Sequence, residues 1–148
     1  MGLRHWLLKT EPESYSWESL LAQGTGRWDG VRNPRARNSL KAMRKGDLAF
    51  FYHTGKEKRI VGIATVVGEA YPDPTDDTGR FVAVDITAVR PFVRPVTLAE
   101  VKASPEFAEM TLVRAARLSV QSVTPEQWTR ICAMGQTEPE LLLPPKAG

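Results

Sequence analysis

The chain has 148 residues, 42% of them hydrophobic, which is one ordinary domain able to fill a single core without disulfides or metals. Its one cysteine, Cys132, argues against a disulfide scaffold, and the N-terminal run over 1–9, cut short by Thr10, Glu11 and Pro12, is too brief for a signal-peptide core or a membrane span; a soluble, cytoplasmic protein is expected. Net charge is only +3, from 20 basic and 17 acidic residues, so its distribution matters more than its sum.

Residues 3–9 are short and apolar and predict a strand, closed by Glu11 and Pro12. Ser16 is placed to cap a helix over 17–23, with Glu18 near the positive end of its dipole and Gly24 as its stop. The stretch 25–31 reads as a loop, loosened by Gly24, Gly26 and Gly30, yet it carries the large apolar Trp28. Asn33 followed by Pro34 starts a second helix, since Asn caps free N–H groups and Pro is pre-set for the first helical position. Ala36, Leu40 and Met43 follow at helical spacing and Gly46 ends the element, which turns Arg32, Arg35, Lys41 and Arg44 outward.

Two dense apolar runs, 47–53 with Leu48, Phe50, Phe51 and Tyr52, and 60–67 rich in β-branched residues, predict strands joined by a hairpin-type loop at Thr54, Gly55 and Lys56. A further strand is predicted over 81–89, after a loop holding Pro72, Pro74 and Gly79. Thr97 with Glu100, and Thr124 with Gln127, form capping boxes that open two late helices flanking a strand-like 118–123. From Gly135 periodicity fades among Pro139, Pro144 and Pro145, so the domain is placed at 1–136 and a C-terminal tail at 137–148. No period of 20 to 50 residues repeats, which removes solenoids and propellers. The element order predicts an α+β fold, a mixed or antiparallel sheet curled into a small barrel.

Enzyme templates fail in turn: there is no Walker loop, no dinucleotide glycine fingerprint and no His or Cys pair at metal spacing, so no catalytic residue, metal or cofactor is assigned. Cys132, on an apolar stripe with Trp128 and Ile131, reads as a core thiol, and His5 and His53 sit within apolar strands, where histidine is more often structural than a base. From Arg32 to Arg59, however, nine bases stand against two acids, Asp47 and Glu57, as expected if one side meets phosphate. Polar residues also gather beside aromatic ones at element ends. A base taken out of its stack needs flat walls and a few fixed donors and acceptors; Trp28, Tyr52 and Tyr71 can supply walls, and Thr10, Glu11, Asn33, Asn38 and Ser119 edge contacts.

Four segments together resemble the EVE domain family: His5-Trp-Leu-Leu-Lys-Thr-Glu-Pro12; Trp28-Asp-Gly-Val-Arg-Asn33 with Ala36-Arg-Asn38; Gly46-Asp-Leu-Ala-Phe-Phe-Tyr-His53; and Ala70-Tyr-Pro-Asp-Pro74. Arg94-Pro-Val-Thr-Leu98 and Arg117-Leu-Ser-Val-Gln121 match as well, so the resemblance runs from Leu3 to about Gly135. It implies a fold similar to PUA, ASCH and YTH domains: a PUA-like curved β pseudo-barrel surrounded by short helices, with a base-sized pocket at one end. The function it implies is binding of modified bases in DNA, 5-methylcytosine derivatives above all, while YTH relatives read a methylated adenine in RNA. Carried over by motif, Lys9, Thr10, Glu11, Trp28, Asp29, Val31, Asn33, Arg37, Asn38, Tyr52 and His53 become pocket and rim positions. Thr10 replaces the serine often seen and keeps its hydroxyl, whereas Pro34 stands where an aromatic or polar residue is common.

The expectation is therefore a reader in which phosphates dock on Arg32, Arg35, Arg37 and Lys41 while a flipped base enters between the end of the first strand and the Trp28 loop. The partner is nucleic acid, DNA or RNA, not a membrane, and the chain is expected as a monomer or weak homodimer. The rival is an ASCH-like hydrolase of a modified nucleoside, with Lys9 and Glu11, two apart on one strand face, as a proton-transfer pair.

Overall fold

The computed structural model describes residues 4–139. β1 (His5–Thr10) and β3 (Leu48–His53) run parallel, with His5 level with Leu48 and Thr10 with His53. A parallel pair needs a crossover, supplied here by α1 (Trp17–Gln23), β2 (Thr25–Trp28) and α2 (Pro34–Ala42). β3 turns antiparallel into β4 (Arg59–Val66), while the two-residue β5 (Tyr71–Pro72) and β4 both pair antiparallel with β6 (Val82–Thr97). After α3 (Leu98–Ala103), a 3-10 turn (Pro105–Phe107) and α4 (Thr111–Arg114), β7 (Val120–Val123) pairs with β1, and α5 (Pro125–Met134) follows. The sheet order is β2-β6-β4-β3-β1-β7, with β5 on β6.

α2 packs against both β6 and β7, although β4, β3 and β1 lie between those strands, and one helix reaches both only because the sheet curls around it. The mixed, curled α+β sheet read from the sequence is thus the architecture found. Its two faces carry separate cores. Trp6, Leu8, Trp17, Trp28, Leu40, Met43 and Phe51 fill the inside of the curl, while Leu7, Phe50, Tyr52, Phe92 and Trp128 pack outside it. Burial on both faces explains why β1 and β3 read as unbroken apolar runs. Ser16 and Asn33 cap α1 and α2, and both capping boxes form, so the helix starts lie where local chemistry puts them.

Three strands differ from expectation, the first being the two-residue β5, which pairs with β6 inside a stretch read as a loop. Residues 25–28, read as a loop, form the edge strand β2, because pairing with β6 outweighs the weak strand preference of a glycine-rich segment. β6 runs to Thr97 instead of stopping at 89, passing through Pro91 and Pro95. Register shifts against β4 fall between Ile60 and Gly62 and between Ile63 and Ala64, and such bulges tolerate a residue without an N–H. Beyond them, Val93 N donates to Thr137 Oγ1 at 3.0 Å and Arg94 N to Gly135 O at 3.1 Å. Trp128 Nε1 also donates to Pro139 O at 2.6 Å, so the segment after α5 packs on the domain as far as it is described, and most of the expected tail, from residue 140, lies outside the described residues. No helix among the described residues is long and apolar enough to cross a membrane.

Gly62 is where the inner core touches the sheet. A Cβ there would lie 2.6 Å from the Trp17 ring, itself buried, so neither can yield cheaply. Gly62→Ala is expected to lower stability by roughly 1–3 kcal/mol, read as a shift in the denaturant midpoint.

Candidate nucleic-acid interface

A cleft of about 790 Å³ opens between the end of β1, the segment leading into α1, and the chain from β2 to the start of α2. Trp28 forms its floor. The indole meets Phe51 edge-on at 5.6 Å and Tyr15 at 6.1 Å and is only 6% exposed, so it is seated in the core instead of standing free as a stacking wall.

At the β1 side, Lys9 Nζ donates to Ala116 O at 2.6 Å and lies over the Tyr52 ring, and burial lowers its pKa from the ordinary lysine value. Thr10 Oγ1 donates to Tyr15 O at 3.0 Å, and Lys9 N donates to Ser119 O at 2.8 Å, which brings Ser119 to the cleft rim. Opposite them stands the turn from Trp28 to Asn33. Asp29 Oδ2 accepts from Arg27 Nε at 2.7 Å, and this hydrogen bond raises the Arg27 pKa. Gly30 takes φ +75°, a left-handed conformation that favours glycine, and its N–H donates to Asp73 Oδ2 at 2.8 Å. Val31 adds apolar lining. Asn33 lines the cleft too, but its side-chain oxygen is committed to capping α2 through Arg35 N and Ala36 N.

Asp73, in the loop between β5 and β6, bolts this turn in place. Its side chain is fully buried. Burial alone would raise its pKa, but hydrogen bonds from Thr75, Gly30 and Arg32 prevail and hold it at about 2. Arg32 donates to Asp73 Oδ2 at 3.1 Å and to Thr75 O and Oγ1 at 3.1 and 3.0 Å. Its guanidinium thus ties the cleft wall to the loop between β5 and β6. Arg35 and Lys41 are exposed on the outer face of α2 and belong to no ion pair among the described residues. Arg37 lies beside them over the Phe81 ring.

Of the residues singled out in the sequence, Lys9, Thr10, Trp28, Asp29, Val31, Arg32, Asn33 and Ser119 line the cleft; Glu11, Asn38, Tyr52, His53 and Tyr71 do not. Glu11 follows the last residue of β1 and is exposed, its carbonyl accepting Ser14 N and Tyr15 N, and it stands outside the cleft lining that holds Lys9. Asn38 points outward from α2. Tyr52 belongs to the outer core, where burial pushes its hydroxyl up to about 12. His53 accepts Trp17 N at Nε2, 3.1 Å away, and faces Glu57 through Nδ1 at 2.9 Å, so it anchors the start of α1. The Tyr71 hydroxyl is bound to Asp85 at 2.6 Å. The sequence reading missed Ser14, Tyr15, Gln23, Thr25 and Arg27, which reach the cleft only because α1 folds back on β2.

A sheet curled around a helix, with a polar cleft opening beside a cationic helix face, defines a protein of the PUA-like class. Residues 4–134 match the family model described as EVE domain. The chain is 37% identical to human thymocyte nuclear protein 1 over 169 residues, covering 91% of this chain and 75% of the human protein. A Rhodopseudomonas palustris protein solved by NMR is 51% identical, with a TM-score of 0.86 over 90% of this chain and 94% of that one. The crystal structure of human THYN1 in complex with 5-methylcytosine-containing DNA is 36% identical, with a TM-score of 0.83 over 91% of this chain and 99% of that one. The MmI1 YTH domain, 15% identical at a TM-score of 0.56 over 88% of this chain and 93% of that one, shares the fold alone. This chain belongs to the EVE domain family.

Proposed function

We propose that the chain reads a modified base, a modified cytosine in DNA, taking the flipped base into the cleft and the flanking phosphates on the outer face of α2. The observation that carries this reading is the cleft itself: a hollow of about 790 Å³ with polar walls and an indole floor, next to Arg35, Arg37 and Lys41. The relative solved with 5-methylcytosine-containing DNA supports the choice of polymer and base. Unstacking a nucleotide costs a few kcal/mol. Contacts to the face and edge of the base, each of about 1–3 kcal/mol, offset that cost for the favoured base. The phosphate contacts add affinity without selectivity.

The test is a titration with DNA and RNA oligonucleotides that differ in a single modified base. DNA carrying a modified cytosine is expected to bind most tightly and to be recovered with its base intact; a lost base would replace the reader with a hydrolase, and tighter RNA binding would change the polymer. An Arg35→Ala, Arg37→Ala double variant is expected to bind all oligonucleotides more weakly and to lower the log–log salt slope by roughly 1.5. Unchanged affinity and slope would remove α2 from the interface.

A further inference from the structure

We propose that Gln23 reads the hydrogen-bonding edge of the base in the cleft and that Tyr15 is the residue positioning it, an inference that rests on the reader function above. Tyr15 precedes the cap of α1 and Gln23 ends that helix, and the Tyr15 hydroxyl donates to Gln23 Oε1 at 2.6 Å. β2 crosses this pair at Gly26. A Cβ there would collide with Tyr15 Oη and lie 3.1 Å from Gln23 Oε1, so only glycine lets the strand pass so closely. The rings of Trp28 and Phe51 hold Tyr15 from within the core, and Glu11 O accepts Tyr15 N at 2.9 Å. The hydroxyl is thus confined.

This confinement sets the orientation of the carboxamide. With Oε1 turned to the Tyr15 proton, the Gln23 amino group faces away as a pair of donors on the wall of the cleft. Asp29, on the same cleft, is an acceptor held in turn by Arg27. A donor and an acceptor, each fixed by a second residue, are what reading a base edge requires. They suit a base with an exocyclic amine beside a ring-nitrogen acceptor, as in cytosine; thymine places its N3–H donor between two carbonyls, so in the same seat it meets a fixed donor and acceptor in the wrong order. A 5-substituent lies off that edge, so these groups distinguish the type of base and not its modification.

The experiment compares the parent protein with Gln23→Leu and Tyr15→Phe, using single-stranded DNA that carries one 5-methylcytosine, cytosine or thymine. Gln23 is exposed at a helix end and leucine is a good helix former, so the first variant folds. It is expected to lose about tenfold of the preference for 5-methylcytosine over thymine while keeping the ratio of methylated to plain cytosine and the salt slope. Tyr15→Phe, which frees the amide, is expected to lose an intermediate share. Full retention of the preference in Gln23→Leu overturns the inference and leaves the reader standing, and loss of both ratios together overturns it by making Gln23 a determinant of cleft shape. If Tyr15→Phe keeps the whole preference, the positioning role falls. A parent protein with no preference among these oligonucleotides overturns the reader and this inference with it.

Discussion

Replacing Asp73 with alanine is expected to lower stability by about 2–4 kcal/mol and to abolish discrimination among bases even in the protein that remains folded. The carboxylate accepts from Gly30 N, Arg32, Thr75 N and Thr75 Oγ1, and its removal leaves donors without a partner inside the protein. The Trp28–Asn33 turn then loses its tie to the β5–β6 loop, and with it the spacing of the cleft wall. Denaturant titration measures the first effect, and the oligonucleotide panel the second. A variant that keeps both would show that the turn holds its shape unaided.

The same carboxylate sets an acid limit. Its folded pKa, about 2, lies below the ordinary aspartate value of 3.8, so its contribution is complete above about pH 4 and is lost as pH falls toward 2. Asp76, held at about 2 chiefly by the Thr78 hydroxyl, adds to the same window. The parent protein should lose stability steeply between pH 4 and pH 2, and Asp73→Asn should show a shallower slope there.

Asp47→Ala should be comparably damaging to stability and far milder for recognition. The buried Asp47 accepts from Arg4 N at 3.1 Å, Trp6 Nε1 at 3.0 Å and Arg44 N at 3.0 Å, joining the start of β1 to the turn between α2 and β3. Stranding the buried indole N–H and two backbone groups is expected to cost about 3 kcal/mol or more. Asp47→Asn keeps one oxygen, which can serve Trp6 and Arg44 while the Arg4 bond is lost, so about 1–2 kcal/mol is expected. Trp6 sits four residues before Thr10 on an extended strand, roughly 13 Å from the cleft end, so base preference should survive in both variants. Binding measured below the unfolding transition checks this, and a lost preference would mean that the start of β1 is coupled to the cleft.

Much of the site was legible because it is built from local chemistry. The cap at Asn33, the stop at Gly24, the break at Glu11-Pro12 and both capping boxes depend on groups within a few residues of one another, and all stand where the sequence places them. Family motifs located the end of β1 and the Trp28–Asn33 turn, the two walls that meet across the cleft. Residues drawn from those motifs went astray where side-chain direction decides. Tyr52 points to the outer core, and His53 turns to the backbone of α1.

The sequence by itself determined the capped helices, the apolar strands and the basic stretch, since these follow from hydrogen-bonding and burial preferences expressed over short spans, and its motifs carried the family; α4, which has no side-chain cap, left no such signal. Tertiary structure alone decided that 25–28 pairs as an edge strand, that β6 continues through two prolines, that Arg32 answers a buried aspartate 41 residues away, and that Tyr15 and Gln23 reach the cleft. Each of these depends on partners distant along the chain, whose pairing free energy is set by the curl of the sheet and leaves no mark on the residues nearby.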